Sequence, residues 1–424
     1  MSNPTRRLVI VVRADPVICG HSGEARNLAE AALTRGFDDV RIVTWPIEQL
    51  QRSGLPLKPL DSILPYSDGI TVERPAPVGD YKVPDGRYLG GMVGRLVELF
   101  TDGVPTVAMS LYLTPHATAI ADAMSVARRT GLPLKVTTIA EAVGSDITNV
   151  VRSCVEGGNF GAAAHVFANY LSHNVCVAVS DYTKKLIVEA AETIDAAQGT
   201  MFASQCQDRV GVSYPAIDSS VFTHLDDGDI SATLQSRGLE RDRYVLFLSR
   251  LTQAKGVDDL IDGFSRSEAS STSKLVIGGT GPDVAAFREQ AQRSPVSDRI
   301  VFFDDIDDRE KRHLMAGSGA YVLPSKPRPE FVETFGIALV EKMLAGGGPV
   351  ITTATGGIPE AVGDAALMVG VESPSAIAQA IDTAMVSMSP EEREVAERKA
   401  RAHALQFDRS NVFDRLFDNV LVPS

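Results

Sequence analysis

The chain has 424 residues, 44% of them hydrophobic, and a formal net charge of −13 at pH 7. That length is too great for one core and predicts two domains of about 200 residues each. The acidic balance argues against non-specific binding to nucleic acid or to an anionic membrane, and no apolar run reaches the roughly 18 residues a membrane helix needs. Two arginines, Arg6 and Arg7, precede a short β-branched run that Arg13 and Asp15 interrupt. That reads as a buried strand, not a secretory leader. Cys19, Cys154, Cys176 and Cys206 have neither CxxC nor metal-ligand spacing, which predicts free thiols in a reducing cytoplasm.

Residues 7–12 (RLVIVV) predict the first strand. A turn at Ala14-Asp15-Pro16 and a loop holding Gly20, His21 and Gly23 follow. Residues 24–33 predict a helix with Ala25, Leu28, Ala32 and Leu33 on one face, and residues 40–44 the next strand. This outlines a dinucleotide-fold opening without the G-x-G-x-x-G spacing. Residues 50–88, rich in Pro, Asp and Gly, predict loops or an inserted element. Strands at 104–112, 134–138, 175–179 and 210–212 then alternate with helices at 117–130, 162–169 and 182–196. Such alternation predicts a parallel sheet with right-handed crossovers. The polar segment 218–243, centred on Asp226-Asp227-Gly228-Asp229, predicts a linker.

A second series follows, with strands at 244–248, 275–277, 300–303, 320–323 and 350–353. Helices at 258–266, 282–293 and 310–316 lie between them, and further helices at 375–385, 390–402 and 411–421 close the chain. The fold class is α/β, in two Rossmann-like domains facing across a cleft. The boundaries are 1–217 and 218–402, with 403–424 as a closing helical segment. Ligands in such sheets sit at the carboxyl ends of the strands.

Four clusters carry candidate chemistry. Arg250 and Lys255 lie in the loop after strand 244–248, where cations beside a helix start suit a pyrophosphate; two surface cations are the plain alternative. Gly278-Gly279-Thr280-Gly281-Pro282 is a glycine turn after a strand, readable as ligand contact at Gly279 or as a tight turn into a helix at Pro282. Asp304-Asp305-Ile306-Asp307-Asp308 resembles a paired-carboxylate metal site. The favoured reading is an acidic loop capping the next helix, because Arg250 and Lys255 already neutralise phosphates; no metal and no cofactor is expected.

The fourth cluster spans residues 328–360. Glu333 precedes the helix start Phe335-Gly336-Ile337, and Glu341 follows about 12 Å along in helical geometry. That span suits the two ends of a nucleotide-sugar, with backbone N–H groups at the phosphates between them. His21 and His116 are further candidates, each also readable as structural.

At these residues the sequence resembles glycosyltransferase family four, the retaining GT-B enzymes. The matching motifs are Ser249-Arg250-Leu251 with Lys255-Gly256-Val257, the turn 277–282, Val322-Leu323-Pro324-Ser325, Glu333-x-Phe335-Gly336 with Glu341, and Gly356-Gly357-x-x-Glu360. The first half matches in layout only, through the loop with Gly20 and Gly23, Val177-Ala178-Val179-Ser180 and Tyr214-Pro215-Ala216-Ile217-Asp218. The resemblance implies a nucleoside-diphosphate-sugar donor, with Glu341 on the ribose, Arg250 and Lys255 on the diphosphate, and Gly20, Gly23 and Gly279 as further donor contacts. Glu333 and the Phe335-Gly336-Ile337 backbone would hold the donor sugar. The closing helix would cross back onto the first domain.

Many members carry a histidine after a middle strand of the first domain. Here residues 134–138 lead into Ile139-Ala140-Glu141-Ala142, so Glu141 takes that place. Glu141, His116 and Asp146 are then the candidates to orient the acceptor, with Glu141, His116 and Glu333 as catalytic candidates and His21 and Asp146 as acceptor contacts. The resemblance implies transfer to a small acceptor with retained configuration, in the cytoplasm and without a nucleic-acid or membrane partner. The arginine bias and unusual first domain look like an actinobacterial natural-product enzyme of aminoglycoside or lincosamide type, acting on oxygen or sulfur. A nucleotide-sugar epimerase of the same fold, a primary-metabolism transferase and a non-catalytic binding subunit are the other readings.

Overall fold

The computed structural model describes residues 5–79, 84–329, 331–418 and 420. The chain divides into two compact units, one formed by Met1–Ile217 with Arg409–Ser424 and the other by Asp218–Asp408. Each unit is built on one parallel sheet.

The sheet of the first unit has seven strands: β1 (Arg7–Val11), β2 (Asp39–Val43), β3 (Ile70–Glu73), β4 (Thr106–Leu111), β5 (Val136–Ala142), β6 (Val175–Ala178) and β7 (Val210–Val212). Their order is β3-β2-β1-β4-β5-β6-β7. Strand β1 pairs in parallel with β2 on one side and β4 on the other, Ile10 lying opposite Ile42 and Met109. A parallel sheet is covered on both faces, so its strands carry near-continuous apolar runs, as residues 8–11 of β1 do here after Arg7. Leu8, Ile10 and Val12 join Ala25 and Leu28 of α1 (Gly20–Leu33), while Val9 and Val11 join Leu96, Leu99 and Phe100 on the other face. Each such buried side chain contributes about 1.5–3 kcal/mol. Helix α2 (Thr118–Thr130) covers the second face and α3 (Phe160–Leu171) follows it along the sheet.

The second unit has six strands: β8 (Tyr244–Leu248), β9 (Lys274–Gly278), β10 (Ile300–Phe303), β11 (Ala320–Leu323), β12 (Val350–Thr353) and β13 (Leu367–Val369). They run in the order β10-β9-β8-β11-β12-β13, again all parallel. Helices α4 (Val257–Arg266), α5 (Asp308–Gly317) and α6 (Ile337–Ala345) lie between them. The closing helix α7 (Arg409–Phe417) belongs to the first unit. It sets Phe413 edge-on to Phe37 at 5.9 Å and pairs Asp414 with Arg35 at 2.5 Å.

Three expectations change. The segment 218–243 is not a linker: Ser220–Thr223 and Asp227–Ser236 are helical, and the Asp226 side chain caps the second through the Asp229 N–H at 3.0 Å. An acidic cluster that looks like loop is an N-cap and first turn, favoured by the helix dipole. Residues 50–88 contain β3 and the end of a helix at Ile47–Arg52, and a long helix opens at Pro84. Strand β5 runs on to Ala142, so Glu141 lies inside the sheet and not in the loop after it.

Candidate functional site

In a doubly wound sheet ligands bind beyond the carboxyl ends of the strands, where the strand order reverses. In the second unit that point lies between β8 and β11. Two loops meet there, residues 249–256 after β8 and 324–336 after β11. The first is held by Leu251 N–H to Thr280 O at 2.9 Å and Gln253 N–H to Asp283 Oδ2 at 2.9 Å. Gly279, expected as a donor contact, allows that approach. Its φ is +120°, and a Cβ there would meet Ser249 O at 2.1 Å. The helix after this turn starts at Val284, two residues beyond the expected Pro282.

The second loop is held from β12. Gly357 N–H donates to Glu333 O at 2.9 Å, and a Cβ on Gly356, where φ is +57°, would lie 1.9 Å from that oxygen. The Gly-Gly pair therefore sets the height of Glu333. Gly356→Ala should displace Glu333 and weaken ligand binding at this point by about tenfold or more, since misplaced groups cost that much in a pre-organised site; calorimetric titration checks it, with circular dichroism confirming a folded chain.

These two loops bring together Lys255 and Glu333, whose side chains form an ion pair and are only 12% and 13% exposed. The Lys255 ammonium also lies 4.7 Å from the centre of the Phe331 ring, a cation–π contact. Arg250 is exposed and has no ion-pair partner among the described residues. Glu341 is the fifth residue of α6, just over one turn in, so the helical spacing expected between it and Glu333 does not apply. Its carboxylate pairs with Lys311 of α5 at 2.7 Å. Lys311 was not legible as a site residue, because its partner comes from another helix. Phe335 is buried, with its ring 5.0 Å from that of Phe407. Gly336 stands at the N-cap of α6, and no side chain caps this end. Of the acidic run, Asp305 pairs with Arg237 at 2.9 Å and Asp307 caps α5 through the N–H groups of Arg309 and Glu310.

In the first unit the order reverses between β1 and β4. Gly20 and His21 open α1, and Gly23, exposed, lies in its first turn. Tyr112 follows β4 directly, with a φ of 121°, a backbone strain that bulky residues rarely bear. Its ring lies 6.0 Å from His21, 5.8 Å from His116 and 4.9 Å from the Arg13 guanidinium. Trp45 stands 6.0 Å behind His116. Burial, with Arg13 adding to it, pushes His21 down to about 4 and His116 to about 3. Both rings are therefore neutral at physiological pH. His21 is partly exposed, while His116 is enclosed with neither ring nitrogen hydrogen-bonded.

Glu141, Asp146 and Glu24 lie buried below this point. Burial pushes Glu24 up to about 7 and Glu141 well above the ordinary carboxylate range, with the neighbouring Glu24 and Asp146 charges adding to the second. Glu141 is thus held in its acid form and fully enclosed, so it does not face an acceptor as expected. Asp146 is not an acceptor contact either. Its carboxylate accepts the N–H groups of Leu113, Val143, Gly144 and Ile147 at 3.0–3.2 Å, tying the loop after β4 to the loop after β5. Those donors pull its pKa down, but burial outweighs them and brings it to about 6. Glu24 was missed, although its place four residues before Leu28 puts a carboxylate on the buried stripe of α1.

Three comparisons bear on this geometry. Residues 230–403 match the family Glycosyl transferases group 1. This segment, less than half the chain, contains Arg250, Lys255, Glu333 and Glu341. Among curated proteins, D-inositol 3-phosphate glycosyltransferase of Corynebacterium glutamicum is 30% identical over 186 residues, 42% of this chain and 43% of that one. N-acetyl-alpha-D-glucosaminyl L-malate synthase of Bacillus anthracis is 27% identical over 189 residues, 43% of this chain and 47% of that one. The match thus spans less than half the length of these curated relatives. The structure of Anabaena HepE in complex with UDP and glucose superposes with a TM-score of 0.69 at 17% identity, covering 97% of this chain and 98% of that one. At that identity the likeness is one of fold, and it supports the GT-B class of two Rossmann-like units.

Proposed function

We propose that this protein is a glycosyltransferase moving a sugar from a nucleoside diphosphate to a small hydroxyl or thiol acceptor, with the anomeric configuration retained. The observation that carries this reading is the Lys255–Glu333 pair at the strand-order reversal of the family-matched unit, with Glu341 on the next helix. Charge builds on the departing diphosphate. Arg250, Lys255 and the uncapped start of α6 stabilise it by pre-set electrostatics, and no cofactor is invoked. Lys255 then exchanges Glu333 for phosphate, which frees Glu333 to accept a sugar hydroxyl. Glu141 in its acid form is no base, so the acceptor's proton passes to the departing phosphate on the same face. A small, specialised acceptor suits natural-product assembly in the cytoplasm.

The test is incubation of UDP-, GDP-, ADP- and dTDP-sugars with acceptor panels. Release of the nucleoside diphosphate only when acceptor is present, with a retained anomer by NMR, supports the reading. An epimer formed from donor alone, or an inverted anomer, overturns it. Glu341→Ala should weaken donor binding by about tenfold, the value of a charge-assisted hydrogen bond; calorimetric titration with the donor checks this, and unchanged affinity removes Glu341 from the site.

A further inference from the structure

Glu333 and Glu341 stand around one point. Tyr321 of β11 is fully buried, and its hydroxyl donates at 2.8 Å to the carbonyl of Leu248, the last residue of β8. Burial pushes that hydroxyl up, and the charges of Glu341 and Glu333, in that order, add to it. Both carboxylates therefore act on the same hydroxyl, at the carboxyl end of β8 where the strand order reverses.

Glu341 is held there by one oxygen. Its Oε1 accepts from Lys311 Nζ at 2.7 Å. Its Oε2 has no hydrogen-bond partner among the described residues, and the side chain is 16% exposed. A carboxylate has room for about four hydrogen bonds, so Lys311 anchors one oxygen and leaves the other open. Lys311 is itself steadied, because its ammonium lies 5.6 Å from the Phe222 ring, within reach of a cation–π contact.

The ordinary reasons for such a pair do not account for it. Lysine as the fourth residue of α5 opposes the dipole of its own helix. The packing of α6 on α5 is already fastened one residue further on, where buried Lys342 donates to Met315 O at 2.7 Å. A second, partly exposed ion pair adds little to that junction.

We infer that Lys311 is a positioning residue for the nucleotide: it holds the Glu341 carboxylate so that Oε2 meets the ribose hydroxyls of the donor, without touching the donor itself. This role rests on the proposed placing of Glu341 at the donor's ribose, and the two are separable by experiment.

The ribose hydroxyl provides the readout. Calorimetric titrations of the full chain compare UDP with 2′-deoxy-UDP, GDP with 2′-deoxy-GDP and ADP with 2′-deoxy-ADP. The tightest pair is then carried into Lys311→Met, Lys311→Arg and Glu341→Ala. The native chain should prefer the ribonucleotide by about tenfold, the worth of a hydrogen bond to a charged group, and Glu341→Ala should abolish the preference. Lys311→Met keeps the length and loses the charge. It should lower the preference by about threefold or more, because a freed side chain has to be ordered again on binding, and Lys311→Arg should restore most of it. A clasp that only joins α5 to α6 would weaken both members of the pair alike and leave their ratio unchanged. An unchanged ratio in Lys311→Met, with the preference lost in Glu341→Ala, overturns the role of Lys311 alone. No binding of any pair, a native chain without preference, or a preference that survives Glu341→Ala overturns the placing of Glu341 and the role of Lys311 with it.

Discussion

Lys255→Ala is expected to lower kcat/KM for sugar transfer by about 10²–10³-fold, the usual loss when one pre-organised charge at a departing oxyanion is removed. The same variant weakens binding of the nucleoside diphosphate. Glu333→Gln separates the two roles of the pair. It keeps the shape, removes the charge and releases Lys255, so the diphosphate binds as tightly or more tightly. Turnover still falls, by about 10–10²-fold, if Glu333 grips the sugar more firmly in the transition state than in the ground state. Calorimetric titration with the diphosphate and initial rates with the donor give the two readouts. If both variants lose diphosphate affinity equally, the pair is a structural clasp between loops 249–256 and 324–336, and its assignment to the donor fails.

Lys255 and Glu333 are each legible in the sequence, though not as an ion pair, because they sit in loops that follow strands, close to glycines with fixed spacing. Gly356 and Gly357 stand in the sequence as a motif because backbone has to pass within 2.0 Å of where their side chains would begin. The first unit offers no such contiguity. Its aromatic and histidine wall is drawn from Arg13, His21, Tyr112 and His116, and the approach of the first two to the others is set by the pairing of β1 with β4. Strand β3 escaped because ITVE is a four-residue edge strand in a Pro- and Gly-rich stretch, and only its register with β2 makes it a strand.

Glu141 was misplaced for a related reason. A carboxylate inside a buried strand contradicts the apolar pattern, so the sequence pattern ends the strand at Thr138, four residues short of Ala142. Local rules fail where a protein carries a special group. The deeper α1 stripe holds the companion signal, since Glu24 interrupts it at a position that periodicity assigns to the core.

The buried acids give the second large effect, and two substitutions should move stability in opposite directions. Asp146→Ala strips the acceptor from four backbone N–H groups. A buried donor left unpaired costs about 1–3 kcal/mol, and the sum approaches the whole stability of a domain, about 5–15 kcal/mol. The expected outcome is insoluble protein, or a melting temperature more than about 10 °C lower. Glu141→Gln should instead stabilise above neutral pH. A carboxyl whose folded pKa is raised binds its proton more tightly when folded than when unfolded, so its contribution is complete below the ordinary value and is lost as pH rises through the folded one. For Glu24 that window runs from 4.5 to about 7, and Glu141 shifts in the same direction, with the acidic side chains of Glu24 and Asp146 beside it opposing its charge. The native chain should therefore melt several degrees higher at about pH 5.5 than at pH 8, by roughly 1.4 kcal/mol for each unit of pKa shift. Glutamine has the shape of the neutral acid and no proton to lose, so Glu141→Gln should flatten that dependence and raise the melting temperature at pH 8. A variant that is less stable than the native chain at both pH values would show that Glu141 is held as a paired carboxylate, and that the acid cluster is built the other way round.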